Sequence, residues 1–125
     1  LSVKAERVPA ARGPHVQGFT AGGFSIDGKA YAAALLTPEG AMAWDAPALA
    51  DLAPDHVAPL LALTPTPEFL LLGTGSAQGF PPRAFVAALE VRGIGVEAMD
   101  SRAAARTWGL LRGEGRWIVA ALMPL

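Results

Sequence analysis

The sequence predicts an α/β domain built on a mixed central β-sheet. Three observations lead there. Up to Trp44, short apolar runs alternate with turn signals such as Asp27-Gly28, the pattern of an antiparallel β-meander. Phe69–Gly73 reads Phe-Leu-Leu-Leu-Gly, a continuous apolar run of the kind that forms a strand covered on both faces. Beyond it, segments of helical period alternate with further apolar runs, giving βαβαβ. Strands in that order with short connections require a parallel pair joined by a right-handed crossover.

The elements follow from local chemistry. Val16, Phe19, Phe24 and Ile26 mark the first strands, and Asp27-Gly28 turns the chain into a returning strand at Lys29–Leu36. Thr-Pro-Glu-Gly closes it before a short strand at Ala41–Trp44. A brief turn is expected at Ala48–Leu52. A helix of about two turns is expected at Asp55–Leu61, behind Pro54 and limited by Pro59. Pro65 and Pro67 stiffen the connector to the Phe69 strand. Pro82–Arg92 is the next helix, with Phe85, Ala88, Leu89 and Arg92 at helical spacing and Gly93 at its stop. Ile94–Met99 is a strand. Ser101–Arg112 is a helix whose apolar face is read as Ala103, Ala104, Thr107, Leu110 and Leu111, with Arg102, Arg106 and Arg112 leaving it. Arg116–Leu122 is the last strand.

The 125 residues amount to one domain, expected over 15–125 behind a loose segment at 1–14. The chain opens on Leu1 rather than Met, so a trimmed or engineered start is expected. With 52% hydrophobic and 17% charged residues the composition is that of a packed protein, not a disordered one. A net charge of −1 offers no basic excess for a nucleic-acid backbone. The absence of cysteine removes disulfides, thiolate chemistry and sulfur-ligated metals. No apolar run is long enough to span a membrane.

The most suggestive stretch is Phe69–Phe85, FLLLGTGSAQGFPPRAF. A strand runs into Gly73-Thr74-Gly75 and a helix follows, and Asp100 ends the next strand 25 residues beyond Gly75. Dinucleotide sites use that order, with an acid holding a ribose hydroxyl. Against it, Gly79 stands one place late for G-x-G-x-x-G, and no Lys-Ser/Thr pair makes a P-loop. Pro81 and Pro82 carry no N–H, so the helix start has lost donors that a phosphate would use. A strand-to-helix corner where glycine relieves crowding explains the stretch better. If the strands at 69–72 and 94–99 are parallel, the loops Gly73–Gly79 and Asp100–Ser101 share one sheet end, where crevices of open α/β sheets form. Asp100 or Ser101 is expected to cap the last helix.

Other constellations are incomplete. His15 and His56 lie in different elements without a ligand pair at metal spacing, so no metal site is expected. Ser76, Ser101 and Thr107 lack a G-x-S-x-G elbow. Asp45, Asp51 and Asp55 read as a solvated helix lead-in, and Arg102, Arg106 and Arg112 as a solvated helix face. Trp44, Trp108 and Trp117 read as packing residues; the alternative for Trp108 is an exposed partner anchor beside the crevice.

The segments LLLGTG and GIGVEAMDSRAAARTWGLL, with GEGR and the closing apolar strand, resemble the family of mitochondrial NADH:ubiquinone oxidoreductase (complex I) assembly factor three and its bacterial and archaeal relatives. The resemblance runs from His15 to Pro124, with Phe24, Tyr31 and Trp44 matching an aromatic-spaced β region. Asp100, Arg106 and Thr107 match the family pattern, whereas Ala105 stands where a cysteine is common and Gly109 where an asparagine is common. The resemblance implies a three-layer α/β fold, no established catalysis, and action through protein contacts.

The expectation is therefore a non-catalytic bacterial protein that acts by protein–protein contacts in assembly of a respiratory or membrane complex. No cofactor, metal or nucleic acid is expected, and the bacterial cytoplasm is the expected location. The alternative is a small-ligand or nucleotide-binding protein. Under either reading the candidate crevice comprises Gly73, Thr74, Gly75, Asp100, Ser101, Arg106, Thr107 and Trp108.

Overall fold

The antiparallel start of the chain divides between two sheets. In the computed structural model, which describes residues 13–125, β1 (Val16–Thr20), β2 (Gly23–Ile26) and β3 (Lys29–Tyr31) form a small antiparallel sheet. Asp27 and Gly28 both take positive φ, 48° and 82°, as the tight two-residue connection of β2 to β3 requires. The strand expected at Lys29–Leu36 is in fact two. The chain bends at Ala32-Ala33, and β4 (Ala34–Thr37) joins a different sheet. The cause is burial: β3 is largely exposed, whereas all of β4 is buried and needs cover on both faces. The loose segment expected at 1–14 falls mostly outside the described residues; Pro14 is buried, and its carbonyl accepts a hydrogen bond from the Trp108 indole at 3.0 Å.

Among the described residues the central sheet has five strands in the order β5-β4-β8-β6-β7, with β5 (Gly40–Ala43), β6 (Phe69–Gly73), β7 (Gly95–Met99) and β8 (Val119–Leu122). β4 pairs antiparallel with β5 and β8, and β6 pairs parallel with β7 and β8, so the sheet is mixed as expected. Between β5 and β6 lie two 3-10 turns, Leu49–Asp51 and Pro54–Val57, and a single-turn helix α1 (Ala58–Leu61). α2 (Arg83–Val91) links β6 to β7, and α3 (Ser101–Gly113) links β7 to β8.

The period of two along each strand sorts the core into two halves. Leu35, Leu70, Leu72, Val119 and Ala121 pack against Leu60 of α1 and against Phe85 and Leu89 of α2. Leu36, Leu71, Ala120 and Leu122 face the other way, onto Ala104, Ala105 and Trp108 of α3 and onto Phe24 and Ile26 of the small sheet. The three layers are thus α1 and α2, the five-stranded sheet, and α3 with the small sheet.

The buried face of α3 is rotated from the face read in the sequence. Ser101, Ala104, Ala105, Trp108 and Arg112 point inward, whereas Leu110 is 66% exposed. Trp108 decides the rotation, because it is the largest apolar side chain on the helix and its N–H has a buried acceptor. Ala104 and Ala105 beside it let the helix approach the sheet.

Candidate functional site

The topology builds a crevice position where the sequence placed one. β6 and β7 are adjacent and parallel, and their following loops lead to helices on opposite faces of the sheet. That divergence is the switch point at which open α/β sheets bind ligands. Here the position is filled. Ser101 is fully buried; its Oγ accepts from the Gly75 N–H at 2.8 Å and donates to the Met123 carbonyl at 2.8 Å. The Ser101 N–H donates to the Gly75 carbonyl at 2.8 Å. Gly73 makes the approach possible, because a Cβ there would stand 2.8 Å from the Ser101 Cα.

The remaining loop is tied down in the same way. The Thr74 N–H donates to the Met99 carbonyl at 2.8 Å. The Thr74 hydroxyl donates to the Ala77 carbonyl at 2.8 Å, with the Met99 carbonyl at 3.2 Å, and accepts from the Gly79 N–H at 3.0 Å. Asp100, rather than Ser101, caps α3: its Oδ1 accepts from the Ala103 N–H at 2.9 Å. The backbone donors at Thr74, Gly75, Gly79, Ser101 and Ala103, which a phosphate would need, are engaged within the chain.

The rest of the eight-residue set separates. Thr107 is half-buried, with its hydroxyl 3.6 Å from the Met99 sulfur. Trp108 is fully buried against the small sheet, so it neither lines the crevice nor serves as an exposed anchor. Arg106 is exposed on the outer side of α3, beside Val16, Gly18 and Phe19 of β1. Arg112, read in the sequence as part of a solvated face, is 9% exposed and donates to the Arg116 carbonyl. A cation there complements the carbonyl-rich end of the helix.

His56 is structural: its Nδ1 accepts from the Ala53 N–H at 2.9 Å, and its carbonyl accepts from the Trp44 indole at 2.8 Å. Asp45, Asp51 and Asp55 are exposed, and among the described residues no group of acidic and histidine side chains is placed to hold a metal ion. At the opposite end of the sheet, Glu68 Oε1 accepts from Arg116 Nε at 3.0 Å and Nη2 at 2.8 Å, and Oε2 from the Trp117 N–H at 3.3 Å. The Arg116 hydrogen bonds hold the Glu68 carboxyl below its ordinary value of 4.5, with desolvation opposing.

The sequence reading missed a different feature. Between α2 and β7, which is an edge strand, runs a groove of about 760 Å³. Arg83, Val86, Ala87 and Glu90 line it from α2, and Val96 and Ala98 from β7. Phe80 stands at its side, 87% exposed. A signal was present: α2 reads Arg-Ala-Phe-Val-Ala-Ala-Leu-Glu-Val, apolar nearly all round, although only Phe85 and Leu89 are fully buried, with Val86 packed partly against the core.

The layers, sheet order and closed sheet-end corner define a mixed-sheet α/β domain whose third layer combines α3 with a small antiparallel β-sheet. The chain belongs to the family described as protein of unknown function (DUF498/DUF598), whose model matches residues 16–123. An uncharacterised protein of Rhodobacter capsulatus is 33% identical over 111 residues, covering 88% of this chain and 84% of that protein. NADH dehydrogenase (ubiquinone) 1 alpha subcomplex assembly factor 3 of Danio rerio is 28% identical over 98% of this chain and 71% of its own length. The human protein of that name is 29% identical over 92% of this chain, which spans 63% of its length. A Bordetella parapertussis crystal structure superposes with a TM-score of 0.83 at 35% identity, covering 94% of this chain and all of that one. A solution structure of a Bordetella pertussis protein described as a Mth938-like domain gives 0.77 at 30% identity, covering 97% and 92%. The family resemblance and the α/β fold expected from the sequence are thus both borne out. Among the described residues no helix is long and apolar enough to cross a membrane.

Proposed function

We propose that this chain is a non-catalytic protein-binding domain that assists assembly of a respiratory or membrane complex. The observation that carries the reading is the similarity to complex I assembly factor 3, which extends over 98% of this chain in the zebrafish protein. The state of the sheet-end corner supports it. Ser101, Thr74 and Asp100, the residues best placed for chemistry there, each hold backbone in place through hydrogen bonds. The surface available to a partner is instead the outer side of the domain, including Arg106 on α3.

Deletion of the gene in its native host tests the proposal. Native gels of the membrane fraction are expected to show subassemblies of NADH:ubiquinone oxidoreductase accumulating at the expense of the full complex, with recovery on complementation. Unchanged assembly of the respiratory complexes would overturn it. Thermal-shift screening separates the small-ligand alternative, since a ligand that binds only the folded state must raise its stability.

A further inference from the structure

We propose that the chain forms a two-fold symmetric dimer through the open edge of β7 and the exposed face of α2, creating one continuous sheet across both copies. β7 ends the central sheet, so the backbone groups on its outer side have no strand partner among the described residues. Such an edge pairs readily with another strand unless it is guarded. Beside it, α2 exposes Ala84, Ala87 and Val91, with Val91 88% exposed and Phe80 exposed just ahead of the helix.

The charges favour a second copy over an unrelated strand. Arg83 and Glu90 lie at opposite ends of the groove, seven positions apart on one side of α2. Seven positions correspond to about 10 Å along a helix. Neither makes an ion pair among the described residues. A two-fold axis through the middle of β7 sets the two β7 strands antiparallel and lays the two α2 helices antiparallel on the same side of the joined sheet. Arg83 of each copy then faces Glu90 of the other. The same axis serves strand and helix, because Val86 and Ala87 at the centre of α2 and Val96 and Ala98 of β7 line one groove. Glu97 selects the register. It is exposed on β7, and an axis through it would set two carboxylates directly opposite, so the axis passes through Val96 or Ala98 instead.

Sedimentation equilibrium of the full chain, across micromolar to millimolar concentration, tests the proposal independently of any assembly role. A dimer is expected. Arg83→Glu and Glu90→Arg are each expected to weaken it by about tenfold or more, since every reversal creates two like-charge contacts per dimer. The double variant R83E/E90R restores both cross-pairs and is expected to dimerise nearly as the parent does. Hydrogen exchange supplies a second readout that needs no variant: β7 amides are expected to slow as protein concentration rises. A monomer throughout, a dimer insensitive to either reversal, or a double variant without recovery would each overturn the proposal. So would β7 amides that slow only when a different protein is added.

Discussion

Ser101 shows how much one hydroxyl can fix. It joins three strand ends, accepting a hydrogen bond from the Gly75 N–H after β6 and donating one to the Met123 carbonyl after β8, while its own backbone starts α3 behind β7. Ser101→Ala leaves the Gly75 N–H and the Met123 carbonyl without that partner in a buried place. The expected loss is about 1–3 kcal/mol of stability in chemical denaturation. Asp100, one residue earlier, is the half-buried cap, worth about 1 kcal/mol to the helix. Neighbouring residues that looked equivalent in the sequence thus divide the work, because the corner turns one inward and leaves the other at its rim. Sequence could place both at the sheet end; only the fold could say which one fills the crevice.

At the scale of elements, α3 carries a residue that costs the helix more than it returns. Gly109 lies mid-helix on the exposed side, and a Cβ there meets nothing within 4 Å. Gly109→Ala is expected to stabilise the chain by about 0.5–1 kcal/mol, read as a raised Tm, because glycine loses more backbone entropy on entering a helix. The lead-in to β6 offers a pH test. Arg116 holds the Glu68 carboxyl below its ordinary value of 4.5, so the pair stabilises the fold above that pH and loses its contribution as pH falls through the depressed folded value. Glu68→Gln is expected to flatten that acid limb of a denaturation profile while changing stability little elsewhere, since both side chains are solvent-exposed. Element positions were legible because each carries its own period and stops. The apolar face of α3 was not, because alanines occupy both sides of the helix and Trp108, with a buried acceptor, outweighs Leu110.

For the whole molecule, the governing fact is that β8, last in the chain, enters the sheet between β4 and β6. That insertion draws β4 away from β3 and divides the early strands between a central and an outer sheet. It also leaves β5 and β7 as the two edges, and it is beside β7 that the groove and the proposed dimer contact lie. The amino-acid sequence by itself determined the α/β class, the strand and helix order after Phe69, the turn at Asp27-Gly28 and the family, because these rest on local periodicity, turn chemistry and motif identity. Tertiary structure alone decided the partition of the meander, the closure of the crevice by Ser101 and the placing of α2 beside an open sheet edge. Those depend on which distant strands become neighbours, and side-chain packing across such contacts leaves no period in the chain.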